Sequence, residues 1–153
     1  MTLLLQYMLL FASVLALVAL GGCFSEHSGI INLGLEGIMV IGALGGALVL
    51  KYMPTSSPTI LIVLFAIVGA IVCGGLYSAL LGVAAIRFNA DQTLIGTAMN
   101  MLATAFASVL VKAINLSEDS SNTSSVVSYI DNKPALTVRI GDFEFNWFML
   151  IAL

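Results

Sequence analysis

Charge is what this sequence has least of. Its 153 residues include five Lys or Arg and eight Asp or Glu, 8% of the chain, whereas soluble domains average about 25%. So few charges cannot cover a water-facing globule, and without a basic cluster there is no footprint for nucleic acid. Histidine is nearly missing: His27 is the single copy, so a histidine-based metal or acid–base site has nothing to work with. The two cysteines, Cys23 and Cys73, fall at unrelated positions in or beside apolar stretches. They form no disulfide framework or metal-ligand spacing and read as small buried hydrophobes. Of the three prolines, Pro54 and Pro58 share one short polar break.

What fills the chain is hydrocarbon. Hydrophobic residues make up 60% of it, and its mean hydropathy is +1.11. Residues 1–25, 60–86 and 93–111 carry no charge, and residues 29–50 carry one. About 20 apolar residues suffice to cross the roughly 30 Å of a bilayer's hydrocarbon. Four such runs predict an all-α, polytopic bundle of transmembrane helices. A fifth helix is expected to begin at Trp147, an aromatic at the position of an interfacial anchor. The sequence stops at Leu153, so it reads as a single transmembrane domain over residues 1–153 and as the N-terminal part of a longer protein. Leu20-Gly-Gly-Cys23 resembles a lipoprotein cleavage site. No positive charge precedes it and another apolar run follows at once, so it reads as the end of the first helix.

The breaks between runs differ in kind. Residues 24–28 are short and polar, and residues 51–59 hold the proline pair, which no helix crosses. Residues 87–92 bring Arg87 and Asp91 together. Residues 114–146 form a long polar segment with five of the eight acidic residues. Residues 115–125, rich in Ser, Asn and Asp, are expected to be mobile. After Pro134 the pattern alternates: Thr137-Val-Arg-Ile, then Gly141-Asp142, then Phe143-Glu-Phe145, which predicts a small β-hairpin. Asn115-Leu-Ser and Asn122-Thr-Ser match the glycosylation triplet, which matters only in a eukaryotic secretory setting. Lysine and arginine counts near the helix ends lean toward a cytoplasmic long segment, on two lysines (Lys51, Lys112) against Arg87.

In lipid, helices approach closely through small residues and interhelical hydrogen bonds. Gly42 and Gly46 form a Gly-x-x-x-Gly pair, and Gly74, Ser78 and Gly82 repeat that spacing on the third helix. These rows read as packing surfaces. Gly96, Asn100, Thr104 and Ser108 are also four apart, and their stripe suits either a helix contact or a solute path.

Glu36 is the charge that a bilayer should reject, because a carboxylate at mid-membrane costs at least a few kcal/mol. Asn32 precedes it by four residues, the spacing of one helical face. Gly29, Gly34 and Gly37 surround the pair, and each weakens a helix by about 1 kcal/mol. An unwound stretch beside protein or water would explain both the glycines and the charge. Glu36 could lock the bundle, gate it, or touch a solute.

The stretch Phe24-Ser-Glu-His-Ser-Gly-Ile-Ile-Asn-Leu-Gly-Leu-Glu-Gly-Ile-Met-Val-Ile-Gly-Ala43 closely resembles the signature of permease subunits of bacterial nucleoside ABC importers. That group also serves simple sugars and branched-chain amino acids. Ala90-Asp-Gln-Thr-Leu-Ile-Gly-Thr-Ala-Met-Asn-Met-Leu-Ala103 resembles the second recurring segment of the same family. The resemblance covers the chain but about half of a typical member. It implies a permease in the bacterial plasma membrane that binds no cofactor itself and is not an enzyme. Partner ABC ATPases would use ATP and Mg, a second permease subunit would complete a heterodimeric pore, and an extracytoplasmic lipoprotein would deliver the nucleoside. It also implies that residues 24–28 and 87–92 lie inside and the 114–146 segment outside, against the charge count. Asn32, Glu36, Gly34, Gly37, Asn100 and Thr104 become the expected path or gate. A proton-coupled secondary transporter is the nearest rival, since a lone membrane glutamate can carry protons. An intramembrane enzyme would need convergent catalytic groups that the sequence does not offer.

Overall fold

The computed structural model describes residues 2–29, 31–87, 91–128, 130–132, 134, 137–140 and 143–146. Four long helices follow one another: α1 (Thr2–His27), α2 (Leu35–Tyr52), α3 (Thr59–Arg87) and α4 (Gln92–Glu118). Each is long and apolar enough to span a membrane. At 1.5 Å per residue the 18-residue α2 is about 27 Å long, enough for the hydrocarbon alone, while α3 and α4 exceed it and must tilt or protrude. The expected polytopic bundle is present.

The start of α2 sharpens the sequence reading, which set an apolar run over 29–50 against an unwound stretch around its glycines. The predicted helix over 29–50 begins only at Leu35, and the preceding segment is unwound. Gly29 stops α1: its φ is +83°, and its N–H donates to the Glu26 carbonyl at 3.0 Å. A side chain at that φ would be strained, so glycine terminates the helix as an αL cap.

α2 is the centre of the unit, packed along α3 and crossing α4. Its contact with α3 is made by bare backbone. A Cβ on Gly42 would lie 3.3 Å from the Ala70 carbonyl oxygen, one on Gly46 3.3 Å from that of Ala66, and one on Gly74 3.6 Å from the Gly42 Cα. All three glycines lie at the α2–α3 contact. The tightest point is elsewhere, at Gly45, where a Cβ would fall 2.6 Å from the Cys73 Sγ and 2.8 Å from the Gly69 carbonyl oxygen. Gly82 is a correction, because a Cβ there would meet nothing within 4 Å. Ser78 between them is half-buried. A four-residue step overshoots a helical turn by about 40°, so Gly82 has rotated about 80° away from the seam that Gly74 occupies.

α1 stands apart, touching α2 and the strand at Phe143–Asn146. Phe11, Leu15 and Phe24 are 63%, 68% and 78% exposed, a surface suited to lipid or to further protein. Cys23 shares that exposure, which corrects its reading as a buried residue, while Cys73 is half-buried against Gly45.

The polar segment is better anchored than its composition suggests. α4 continues four residues past the expected boundary at 114, to Glu118. Asn115 is fully buried, its Nδ2 donating to the carbonyls of Ser124 (3.0 Å) and Val126 (2.9 Å). The expected mobile stretch is thus folded back on α4, and the first glycosylation triplet presents an occupied, inaccessible amide. Lys51 Nζ lies 2.8 Å from Glu118 Oε2 and donates to the Ser128 carbonyl at 3.1 Å. Asn132 Nδ2 donates to the carbonyls of Leu50 (2.8 Å) and Met53 (2.7 Å), groups that the end of α2 leaves without helical partners. Asp119 lies just beyond α4, half-buried. Hydrogen bonds from the Ser121 N–H and hydroxyl hold its carboxyl below the usual range.

Asn132→Ala removes both bonds to the end of α2 at a local cost of about 1–3 kcal/mol. Limited proteolysis of the full-length protein in detergent is expected to cut residues 119–132 at least several times faster, with the helices intact. An unchanged cleavage rate would show that Asn132 does not hold the segment.

The predicted hairpin is also present. β1 (Thr137–Ile140) pairs antiparallel with β2 (Phe143–Asn146), with Ile140 opposite Phe143 and Thr137 opposite Asn146. Its turn, Gly141-Asp142, and the helix expected from Trp147 lie outside the described residues.

Candidate functional site

The unwound segment before α2 is held by α4. Asn100, half-buried on α4, clamps it from two sides: its Oδ1 accepts from the Gly37 N–H at 2.8 Å, and its Nδ2 donates to the Leu33 carbonyl at 2.9 Å. Gly37 lies in the first turn of α2, whose N–H groups have no partner within the helix. Gly34, at the N-cap, has no side chain to satisfy them. Asn100 therefore caps α2 from a neighbouring helix. Nearer the membrane surface, Gln92 Oε1 accepts from the Ile31 N–H at 3.0 Å. At the next turn of α4, Gly96 lets the strand pass: a Cβ there would fall 2.8 Å from the Leu33 Cβ and 3.0 Å from the Gly34 nitrogen.

Asn32 does something other than its spacing implied. It precedes the helix, so Asn32 and Glu36 do not share a helical face. Its Oδ1 accepts from the Gly34 N–H at 3.0 Å, closing an Asx turn that shapes the lead-in to α2. Gly34 and Gly37 are both buried. Their role is to let backbone approach, Gly37 meeting Asn100 and Ala103, and Gly34 meeting Leu81.

Glu36 points elsewhere. It is exposed and, among the described residues, makes no hydrogen bond or ion pair. It lines an open cavity of about 300 Å³ with Thr97, Asn100, Met101 and Thr104. Its place in the first turn of α2 lets the helix dipole favour the charge by about 0.3–1 kcal/mol. That is too little to offset the cost of facing hydrocarbon. This face must meet water or further protein.

Three of the expected path residues, Glu36, Asn100 and Thr104, thus meet in one place. Thr97 and Met101 were missed, although Thr97, Asn100, Met101 and Thr104 follow the i, i+3, i+4, i+7 pattern of one helical face. The four-apart row Gly96, Asn100, Thr104, Ser108 drifts about 40° per step. It starts buried against the unwound segment, passes through the cavity wall, and leaves it before Ser108. Tyr77 was missed as well: its hydroxyl donates to the Met99 carbonyl at 2.7 Å, tying α3 to α4 behind the cavity.

Residues 4–153 match the family described as branched-chain amino acid transport system / permease component. The chain is similar to the guanosine ABC transporter permease protein NupQ of Bacillus subtilis, 41% identical over 110 residues, which is 69% of this chain and 33% of that protein. It is also similar to the nucleoside ABC transporter permease protein NupC of Lactococcus lactis, 39% identical over 108 residues, again 69% and 33%. The chain spans about a third of the length of these curated relatives. No solved structure gives a significant match. Four apolar spanning helices and a family match over nearly every residue agree: this chain is a multi-pass membrane protein that belongs to the branched-chain amino acid transport system permease family.

Proposed function

We propose that the chain is part of the permease subunit of an ATP-driven ABC importer that moves nucleosides into the cell. The observation that carries this reading is the 41% identity over 110 residues to a guanosine permease. The permease itself performs no chemistry. Partner ATPases hydrolyse ATP with Mg on the cytoplasmic side, a second permease subunit completes the pore, and an extracytoplasmic lipoprotein delivers the solute. The segment after α4 faces outward and the unwound segment before α2 faces inward. The cavity beside Glu36 is then the inner part of the solute path, and Asn32, Gly34, Gly37 and Asn100 shape its gate. Asn100 joins α4 to the lead-in of α2 by hydrogen bonds at both ends of its amide, so the two would move together as the pore alternates.

A second reading is branched-chain amino acid import, which the family's description favours, or sugar import. A proton-coupled carrier would instead use Glu36 as its proton site. Proteoliposomes holding the full-length protein with its partner subunits separate the three. Labelled guanosine is expected to accumulate only with ATP, and a protonophore is expected to leave that uptake unchanged. Uptake driven by a proton gradient without ATP would overturn the ABC assignment. Uptake of leucine or glucose but not guanosine would overturn the substrate.

A further inference from the structure

The hydrogen-bonding capacity of the Glu36 cavity is almost wholly of one kind. Thr97 Oγ1 lies 3.0 Å from both the Thr93 and the Leu94 carbonyl oxygens, so its single proton is committed to its own helix. Thr104 Oγ1 is committed likewise, to the carbonyls of Asn100 (3.2 Å) and Met101 (3.0 Å). Each threonine has only lone pairs left to offer. The Met101 thioether is a weak acceptor. Glu36 contributes two further acceptor oxygens with no partner among the described residues. Asn100 has spent its oxygen on Gly37 and one amide proton on Leu33, leaving a single N–H as the one side-chain donor among the described lining residues. Among the described residues, no lysine or arginine lines the cavity.

We infer that this cavity is a specificity filter that recognises solutes by their own O–H and N–H donors and rejects phosphate-bearing or other anionic analogues. This deepens the nucleoside-import reading and rests on it. A carboxylate flanked by two hydroxyl oxygens accepts well from paired donors, such as a ribose cis-diol or the adjacent N–H groups of a guanine edge. A phosphate would bring acceptors to acceptors and a negative charge toward Glu36, with a single N–H to receive it, and such mismatches are how a site excludes a wrong partner. Thr97 and Thr104 are seven residues apart on α4, so the acceptor wall is about 10 Å long, enough to engage one nucleoside along its length.

The test compares Glu36→Gln with the unaltered full-length importer, reconstituted with its partners, for guanosine, inosine (no exocyclic amine) and 2′,3′-dideoxyguanosine (no ribose diol). Any selection by the delivering protein is common to both and cancels in the variant-to-wild-type ratio for each solute. Glu36→Gln is expected to slow guanosine uptake by about tenfold or more, the value of a hydrogen bond to a charged group. For at least one of the two analogues, the one missing the relevant donors, the loss is expected to stay under threefold. Equal losses for all three solutes would make Glu36 a scaffold or gate only and overturn the inference. Thr104→Val keeps shape and removes one acceptor. It is expected to show the same dependence on solute at smaller size, and it decides the matter if Glu36→Gln fails to assemble. Absence of nucleoside uptake by the unaltered importer would overturn the transport reading itself, a result distinct from equal losses.

Discussion

Asn100→Leu is expected to abolish most transport and to destabilise the protein, because one small amide satisfies two backbone groups of another helix. The substitution orphans the Gly37 N–H and the Leu33 carbonyl, bonded at 2.8 and 2.9 Å. The Gly37 N–H cannot turn to water easily, since Gly37 is buried, whereas the Leu33 carbonyl sits on an exposed residue. An orphaned buried group costs about 1–3 kcal/mol in water-soluble proteins, and interhelical hydrogen bonds in membranes average about 0.6 kcal/mol. A total near 1–4 kcal/mol follows, measurable as a shift in the denaturation midpoint of the full-length protein in detergent. Uptake should fall more than tenfold, because the unwound segment then has lost its cap on α2. Asn100→Asp discriminates the two bonds: it keeps the acceptor for Gly37 and loses the donor to Leu33, so its stability should fall between. A leucine variant as stable and active as the unaltered protein would show that the clamp is incidental.

The second large effect is expected at Gly45. A methyl group there would sit 2.6 Å from the Cys73 Sγ, which could turn aside, but also 2.8 Å from the Gly69 carbonyl oxygen, which belongs to the backbone of α3. Relief requires the two helices to move apart, and with them the contacts of Gly42, Gly46 and Gly74. Gly45→Ala is expected to cost about 1–3 kcal/mol, the usual penalty for overpacking a tight interior. Gly45→Leu should prevent stable assembly. Gly82→Ala is the control, with open space around it. It should be neutral or more stable by up to about 1 kcal/mol, the difference in helix propensity. Equal behaviour of the Gly45 and Gly82 alanine variants in thermal denaturation would refute the packing argument.

Much of this architecture was legible before any coordinates. Apolar run length determined the four helices, because the only alternative to internal hydrogen bonding in lipid is an unsatisfied backbone. Alternation after Pro134 determined the hairpin, and three glycines near a charge pointed to an unwound segment. Resemblance over residues 24–43 and 90–103 located the two segments that the fold brings together.

Which residues of those segments meet was not legible, and the reason is geometric. A four-residue spacing looks like a face over one turn but rotates about 40° with each repeat. Sequence spacing therefore grouped Gly96 with Ser108 and Gly74 with Gly82, and overlooked Thr97 and Gly45. It also placed Asn32 on a helix that begins three residues later. Donor and acceptor roles lay further still from the sequence, since a threonine can offer a proton or lone pairs. Only the folded chain decided that Thr97 and Thr104 give their protons to their own helix. By itself the sequence determined that a carboxylate stands near a helix start in a membrane. The tertiary structure decided that it faces a cavity rather than a partner, because α4 reaches past it to hold the backbone on either side.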